Sequence, residues 1–210
     1  MVRTIDSEAR RRVLADAVWR LIRQGGLEAA SVRAVAAETG LSAGSVRHFF
    51  ATQDELHVFA MEELLRRMTA RVEDTLSADA AAGPASPARA RARVRAALLD
   101  LLPTTAESAA DFHAHLQFIV KAVIHRPLEP TARRVHEELQ RFYERCLDYL
   151  VLTGAARADL DPTAAAGELA VVMDGLVLRR LTAPELLGVE RMFDVLDGHL
   201  RGLAPAQEAS

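Results

Sequence analysis

An all-α fold is what this sequence predicts, and three observations carry that reading. Apolar residues recur at three- and four-residue intervals from end to end, the spacing of one helix face, while strand-like alternation is absent over any useful length. Hydroxylated or acidic residues stand ahead of several of these runs, where they cap helix N-termini. Glycine or proline punctuates the junctions, at Gly25-Gly26, Gly40, Pro103, Pro127, Gly154, Pro162 and Pro184. At 210 residues the chain can bury a substantial core without cross-links.

The first helix is expected over Ser7 to Gln24, with Asp6 or Ser7 as N-cap and Val13, Leu14, Ala17, Val18, Leu21 and Ile22 on one face. Ser31 caps a short helix that turns Val32, Val35 and Ala36 inward and stops at Gly40. Ser42 caps a second short helix holding Val46 and Phe49. A longer helix follows from Thr52 to Leu76, and Leu56, Phe59, Ala60, Leu64 and Met68 lie near one another along it. Ser77 to Ala90, with Gly83, Pro84 and Pro87, reads as a break or flexible connection. Further helices are expected at 88–102, 106–124, 130–152, 162–181 and 184–203, and residues 205–210 as a disordered tail. The expected domains are 1–51 and 52–204.

Charge is distributed unevenly. The whole chain carries −3, but residues 1–50 hold eight arginines against five acids, and residues 51–210 are net −6. A basic head sits on an acidic body. The lone Cys146 cannot form an intramolecular disulfide, and the N-terminus lacks the apolar stretch of a signal peptide, so the cytoplasm is the expected location. The most apolar stretch, Leu169 to Leu178, is broken by Asp174 and closed by Arg179 and Arg180, short of the roughly 20 residues that span a bilayer.

The run from Gly40 to Phe50, GLSAGSVRHFF, carries the most chemistry. Two short helices joined tightly make a helix-turn-helix: Ala36 is small enough for a close helix crossing, Gly40 permits positive φ, and Leu41 fills the core below. Val46 and Phe49 are expected to face back toward Val32 and Val35. What remains of the second helix is an exposed side of Ser42, Ala43, Gly44, Ser45, Arg47 and His48. Small residues there let the backbone approach phosphates or base edges in a major groove. Arg47 can donate two hydrogen bonds to guanine O6 and N7 or pair with a phosphate, and His48 can donate to a phosphate.

From Gly26 to Leu56 the chain resembles the DNA-binding domain of TetR-family transcriptional regulators, with Val35-Ala36, Gly40, Ser42, Gly44, Phe50 and Leu56 matching that family's pattern. By that resemblance Ser31, His48, Thr52 and Gln53 hold the DNA backbone, while Ser42, Ala43, Ser45 and Arg47 lie nearest the bases. Three positions depart from the pattern. Arg47 stands where tyrosine is common, Gln53 where a phosphate-binding lysine is common, and Phe49 at a commonly polar or aromatic position.

In the body, Leu169, Val171, Val172, Met173, Leu176, Val177 and Leu178 run almost completely round their helix, which therefore needs cover on both sides. The last helix carries Leu186, Val189, Phe193, Leu196 and Leu200 at spacings of three and four. Two such helices from each of two subunits make a four-helix homodimer interface, as in TetR-family proteins; the alternative is that both complete one chain's own core. Phe59, Leu64, Met68, Phe112, Leu116, Phe118, Phe142, Cys146 and Met173, with the polar His113, His115, Gln117, Tyr143 and Asp174, are candidates either for plain core or for an effector pocket suited to a hydrophobic or amphipathic small molecule.

Catalytic readings fail. His113 and His115 stand about 200° apart on a helix and do not readily share a metal, Cys146 sits among Phe142, Leu147 and Leu150 as a buried thiol, and no phosphate-binding glycine loop occurs. Neither an enzyme nor a cofactor is expected. The alternating Arg89, Arg91, Arg93 and Arg95 read as a solvated flank. The sequence points to a ligand-responsive transcriptional regulator, a repressor, that binds a palindromic operator as a homodimer and is released by a small-molecule effector, with no membrane partner. The alternative, kept open by the neutral Gln53, is an all-helical small-molecule-binding protein without specific DNA binding.

Overall fold

The computed structural model describes residues 2–78 and 86–205, with side chains from residue 10 to 75 and from 86 to 205. Within these residues the order is α1 (Val2–Gly25), a 3-10 turn (Leu27–Ala29), α2 (Val32–Thr39), α3 (Ala43–Phe49), α4 (Gln53–Ala78), α5 (Pro87–Leu99), α6 (Ala106–Ile124), a second 3-10 turn (Arg126–Leu128), α7 (Glu129–Leu152), α8 (Pro162–Thr182) and α9 (Val189–Gly202). No strand occurs among the described residues. Most of the expected break after Ser77 and the tail from residue 206 lie outside them. Packing divides the chain into two units: one runs to Arg67 and takes in Ala110–Arg133, the other takes in Met68–Ala109 and the chain from Arg134. The division therefore runs through α4, α6 and α7.

In the first unit α1 begins at Val2, ahead of the expected cap, because nothing between Val2 and Ser7 breaks a helix. Leu14, Ala17, Val18 and Ile22 are buried as expected, but Val13 is 50% exposed and Trp19 takes an inward place. The indole is flanked by two guanidiniums, Arg23 and Arg67, at 5.8 and 5.5 Å from its ring centre. Arg67 also pairs with Asp16 and Glu63, tying α4 to α1. Ser31 Oγ accepts from the Ala34 amide, and Gly40 ends α2 at φ 69°. Ser42 Oγ accepts from the Ser45 amide and opens α3. Val35, Ala36 and Val46 are buried at the crossing. Phe49 stays half-exposed: the buried aromatic is Phe50, one residue on, whose ring lies 4.9 Å from that of Phe59. The reason is that α3 ends at Phe49, so Phe50, in extended backbone, turns under the unit. Thr52 Oγ1 accepts from the Glu55 amide and Glu55 accepts from the Ala51 amide, a pair of reciprocal caps that starts α4.

In the second unit Ser86 caps α5 with Pro87 in its first turn, and Asp161 caps α8 through the Thr163 and Ala164 amides. The α9 helix starts at Val189 and not at Pro184, because the Leu186 and Leu187 amides both bond the Ala183 carbonyl in a turn that Gly188 closes. The α5 arginines are not a solvated flank. Arg91 donates to the Ala155 carbonyl, Arg93 lies over the Tyr149 ring, and Arg95 forks onto Asp197 and lies over Phe193.

Two glycines in the first unit adopt left-handed backbone for different reasons. At Gly40 a Cβ would meet nothing within 4 Å, so only its φ selects glycine. At Gly26, φ 78°, a Cβ would also sit 2.7–2.8 Å from the Gln117 amide. Gly40→Ala should therefore cost about 1–2 kcal/mol and Gly26→Ala distinctly more, read as the shift in urea unfolding midpoint at unchanged slope.

Candidate nucleic-acid interface

The exposed side of α3 is built by what its neighbours do not cover. Ser42, Ala43, Gly44, Arg47 and His48 are exposed and Ser45 is half-buried. The first turn is kept compact by a 2.9 Å contact between the Ser42 and Ser45 hydroxyls. Nothing there projects beyond a hydroxymethyl group, so the helix end can approach a surface closely. Arg47 has no hydrogen-bond or ion-pair partner among the described residues, and the His48 ring stands edge-on to Phe49 at 5.8 Å. A free guanidinium and an exposed imidazole beside a bulk-free helix end suit phosphate oxygens and base edges.

Of the four residues expected to hold a DNA backbone, Ser31 and Thr52 are occupied as helix caps and His48 is exposed. Gln53 is engaged inside its own unit. Its Nε2 donates to the Ala30 carbonyl at 2.7 Å and lies 3.0 Å from His57 Nε2. His57, fully buried, escaped the sequence reading, as did its surroundings. Lys121 of α6 lies 3.4 Å from His57 Nδ1 and pairs with Glu28 in the 3-10 turn. His125, just past the end of α6, contacts both Asp54 carboxylate oxygens at 2.8 and 2.9 Å. Burial pushes the His57 pKa down, and the Lys121 ammonium adds to that; Glu28, Asp54 and a backbone hydrogen bond with Leu27 pull the other way. Glu28 is held below the usual carboxylate range, chiefly by its hydrogen bond from Lys121. A four-residue spacing of Gln117, Lys121 and His125 was the available sequence signal.

The effector candidates divide between the units. Phe59, Phe112, His113, Leu116 and Gln117 belong to the first, where Phe59 and Phe112 are core and the Gln117 carbonyl oxygen accepts from the Leu27 amide at 2.6 Å. A groove of about 430 Å³ in this unit includes Phe59 with Arg11, Phe50, Asp54 and Glu62. Met68, Phe142, Tyr143, Cys146, Met173 and Asp174 belong to the second. There Tyr143 and Cys146 of α7 and Met173 of α8 are buried. Burial raises the Tyr143 pKa, with Asp174 adding to the rise, and pushes the Cys146 thiol up to about 12, so it is no thiolate nucleophile at neutral pH. The Asp174 pKa is raised by partial desolvation, against the pull of His136.

The interface candidates also divide. Leu169, Leu176, Leu196 and Leu200 are buried within the protomer, Val172, Val189 and Phe193 are half-buried, and Leu186 is 67% exposed. The first four complete the chain's own α8–α9 packing. The apolar surface left open on α8, α9 and their joining turn is Val171, Leu178, Leu186 and Val195.

Residues 14–58 match the family model described as bacterial regulatory proteins, tetR family, and residues 90–205 that of the BetI-type transcriptional repressor, C-terminal. Among curated relatives, the HTH-type transcriptional regulator PksA of Bacillus subtilis is 30% identical over 203 residues, 97% of this chain and 94% of that protein. The regulator BetI of Burkholderia thailandensis is 36% identical over 82% of each chain. Among solved structures, a transcriptional regulator from Rhodococcus sp. Rha1 superposes with TM-score 0.72 at 26% identity, covering 92% of this chain and 95% of that one. A putative regulator from Saccharomonospora viridis, solved in complex with choline, superposes with TM-score 0.70 at 21% identity, covering 93% and 95%.

The His57 environment sets a pH dependence. Its folded pKa lies below the ordinary 6.5, so the unfolded chain takes up the proton first; the stability it contributes is complete above 6.5 and falls as the pH drops below that value. Thermal unfolding of the unaltered protein should move to lower temperature between pH 7 and 5, and His57→Gln should flatten that slope.

Proposed function

We propose, from the premise that this chain belongs to the TetR family of bacterial transcriptional regulators, that it reads a palindromic operator with the exposed face of α3. It is a DNA-binding regulator and not an enzyme, and repression, dimerisation and release by an effector are what its family does. The observation that carries the docking reading is the unpartnered Arg47 beside the small exposed residues Ser42, Ala43 and Gly44. In this reading Arg47 and Ser45 approach the bases, and His48, Ser31 and Thr52 lie along the phosphates. Gln53 contributes indirectly, by holding the Ala30 carbonyl and with it the start of α2.

Two heads must act together for useful specificity, since one short helix touches too few bases. Val171, Leu178, Leu186 and Val195 support a dimer face on α8, α9 and their joining turn, because this aliphatic surface is open in the protomer. Tyr143, Cys146, Met173 and Asp174, with half-buried Phe142 beside Tyr143, support a hydrophobic or amphipathic effector that meets apolar walls and one acidic edge. A coupling of about 1–3 kcal/mol between effector and operator changes affinity about 5- to 150-fold.

Selection of duplexes from a random-sequence library by the full-length protein should return a symmetric motif. Arg47→Glu should abolish gel-shift of that motif, with a loss of at least about 1–3 kcal/mol per half-site, while sedimentation still reports a dimer. Undiminished binding would overturn the docking. Val171→Asp combined with Leu178→Asp should give monomers by sedimentation and weaken motif binding about 100-fold or more through lost avidity.

A further inference from the structure

The turn between α1 and α2 is short, and it is gripped from two sides within the first unit. From α6, Gln117 Oε1 accepts from the Leu27 amide at 2.6 Å and Lys121 pairs with Glu28. From α4, Gln53 Nε2 donates to the Ala30 carbonyl at 2.7 Å. Gly26 has no side chain where one would collide with the Gln117 amide, so the carboxamide can lie against the backbone. The turn leads into Ser31, whose hydroxyl caps α2, and α2 packs on α3. Leu27 itself is buried, and no backbone carbonyl is bonded to its amide, so the Gln117 oxygen is the acceptor that satisfies it.

We propose that Gln117 is a positioning residue for DNA binding: its side-chain carbonyl fixes the α1–α2 turn to α6 and so sets where α2 and the recognition helix α3 stand. The requirement is for an acceptor, not for an amide. A carboxylate at 117 keeps the acceptor and stands one helical turn from Lys121, whereas an apolar leucine of comparable bulk removes it. Loss of one such bond in each of two heads weakens specific binding about tenfold, because α3 samples positions from which Arg47 and the bases do not meet. Binding to scrambled duplex, which needs only phosphate contacts, changes little.

This inference rests on the docking proposed above, and its test separates the two. Amide hydrogen exchange on the full-length protein without DNA reads the turn directly. The Leu27 amide should be protected in the unaltered protein, protected in Gln117→Glu and released in Gln117→Leu. An unprotected Leu27 amide in the unaltered protein overturns the proposal without any variant. Gel-shift against the selected symmetric duplex and a scrambled one then reads the consequence. Gln117→Leu should lose about tenfold on the first and not on the second, and Gln117→Glu should recover most of that loss. Equal loss in both variants, or no loss in Gln117→Leu, overturns the positioning role. If the unaltered protein selects no duplex, the docking reading fails while the exchange result still decides whether Gln117 holds the turn.

Discussion

Beside its apolar core, the head is held by one part-buried polar contact that the local chain cannot supply. A backbone amide removed from water and left unbonded costs on the order of 1–3 kcal/mol, and the bend after α1 leaves the Leu27 amide without a carbonyl of the turn to meet it. The Gln117 oxygen fills that need from a residue ninety positions later in the chain. Because this contact is non-local, the first sixty residues do not by themselves contain everything that holds the helix-turn-helix in place. That is consistent with the packing, which joins Ala110–Arg133 to the N-terminal residues in one compact unit. The same region withdraws His57, Lys121 and Asp111 from solvent to different degrees, and each is matched by a counter-charge or hydrogen-bond partner.

Local signals made the helices legible. Ser31, Gly40 and Ser42 are strong punctuation, and α2 and α3 begin and end where those residues require. The limits of α6 are those that its apolar periodicity implies. Boundaries failed where punctuation was ambiguous. Pro184 suits a first helical turn, yet the structure uses it in a preceding turn and lets Gly188 precede the helix. At the N-terminus Asp6 and Ser7 suit a cap, yet a capping residue caps only if the chain before it leaves the helix, and Val2–Ser7 has no cause to.

Side-chain roles were less legible than helices, because hydrophobicity does not say which of two apolar surfaces a residue will meet. Leu169, Leu176, Leu196 and Leu200 have the spacing of an interface stripe but lie inside the protomer, while Val171 and Leu178, on the other side of α8, remain open. Phe49 and Phe50 differ by one position, and only the end of α3 decides which is buried. For polar residues the difficulty is pairing across long separations. Gln53 and Gln117 look like groups free to meet a ligand or a phosphate, and the structure bonds both to the same turn. The exposed face of α3 was readable because it is defined by absence of bulk, which composition states directly.

The chain carries a single lysine, Lys121, beside 25 arginines. Its ammonium is ion-paired to Glu28 with about a quarter of its side chain open to water. Reagents that acylate primary amines thus have one internal address on this molecule, and it lies in the unit that contains the helix-turn-helix. A fluorophore attached there would report on the neighbourhood of the α1–α2 bend from a unique position, and a bulky or charge-neutralising adduct at the same nitrogen would disturb that bend without altering any residue of the recognition helix.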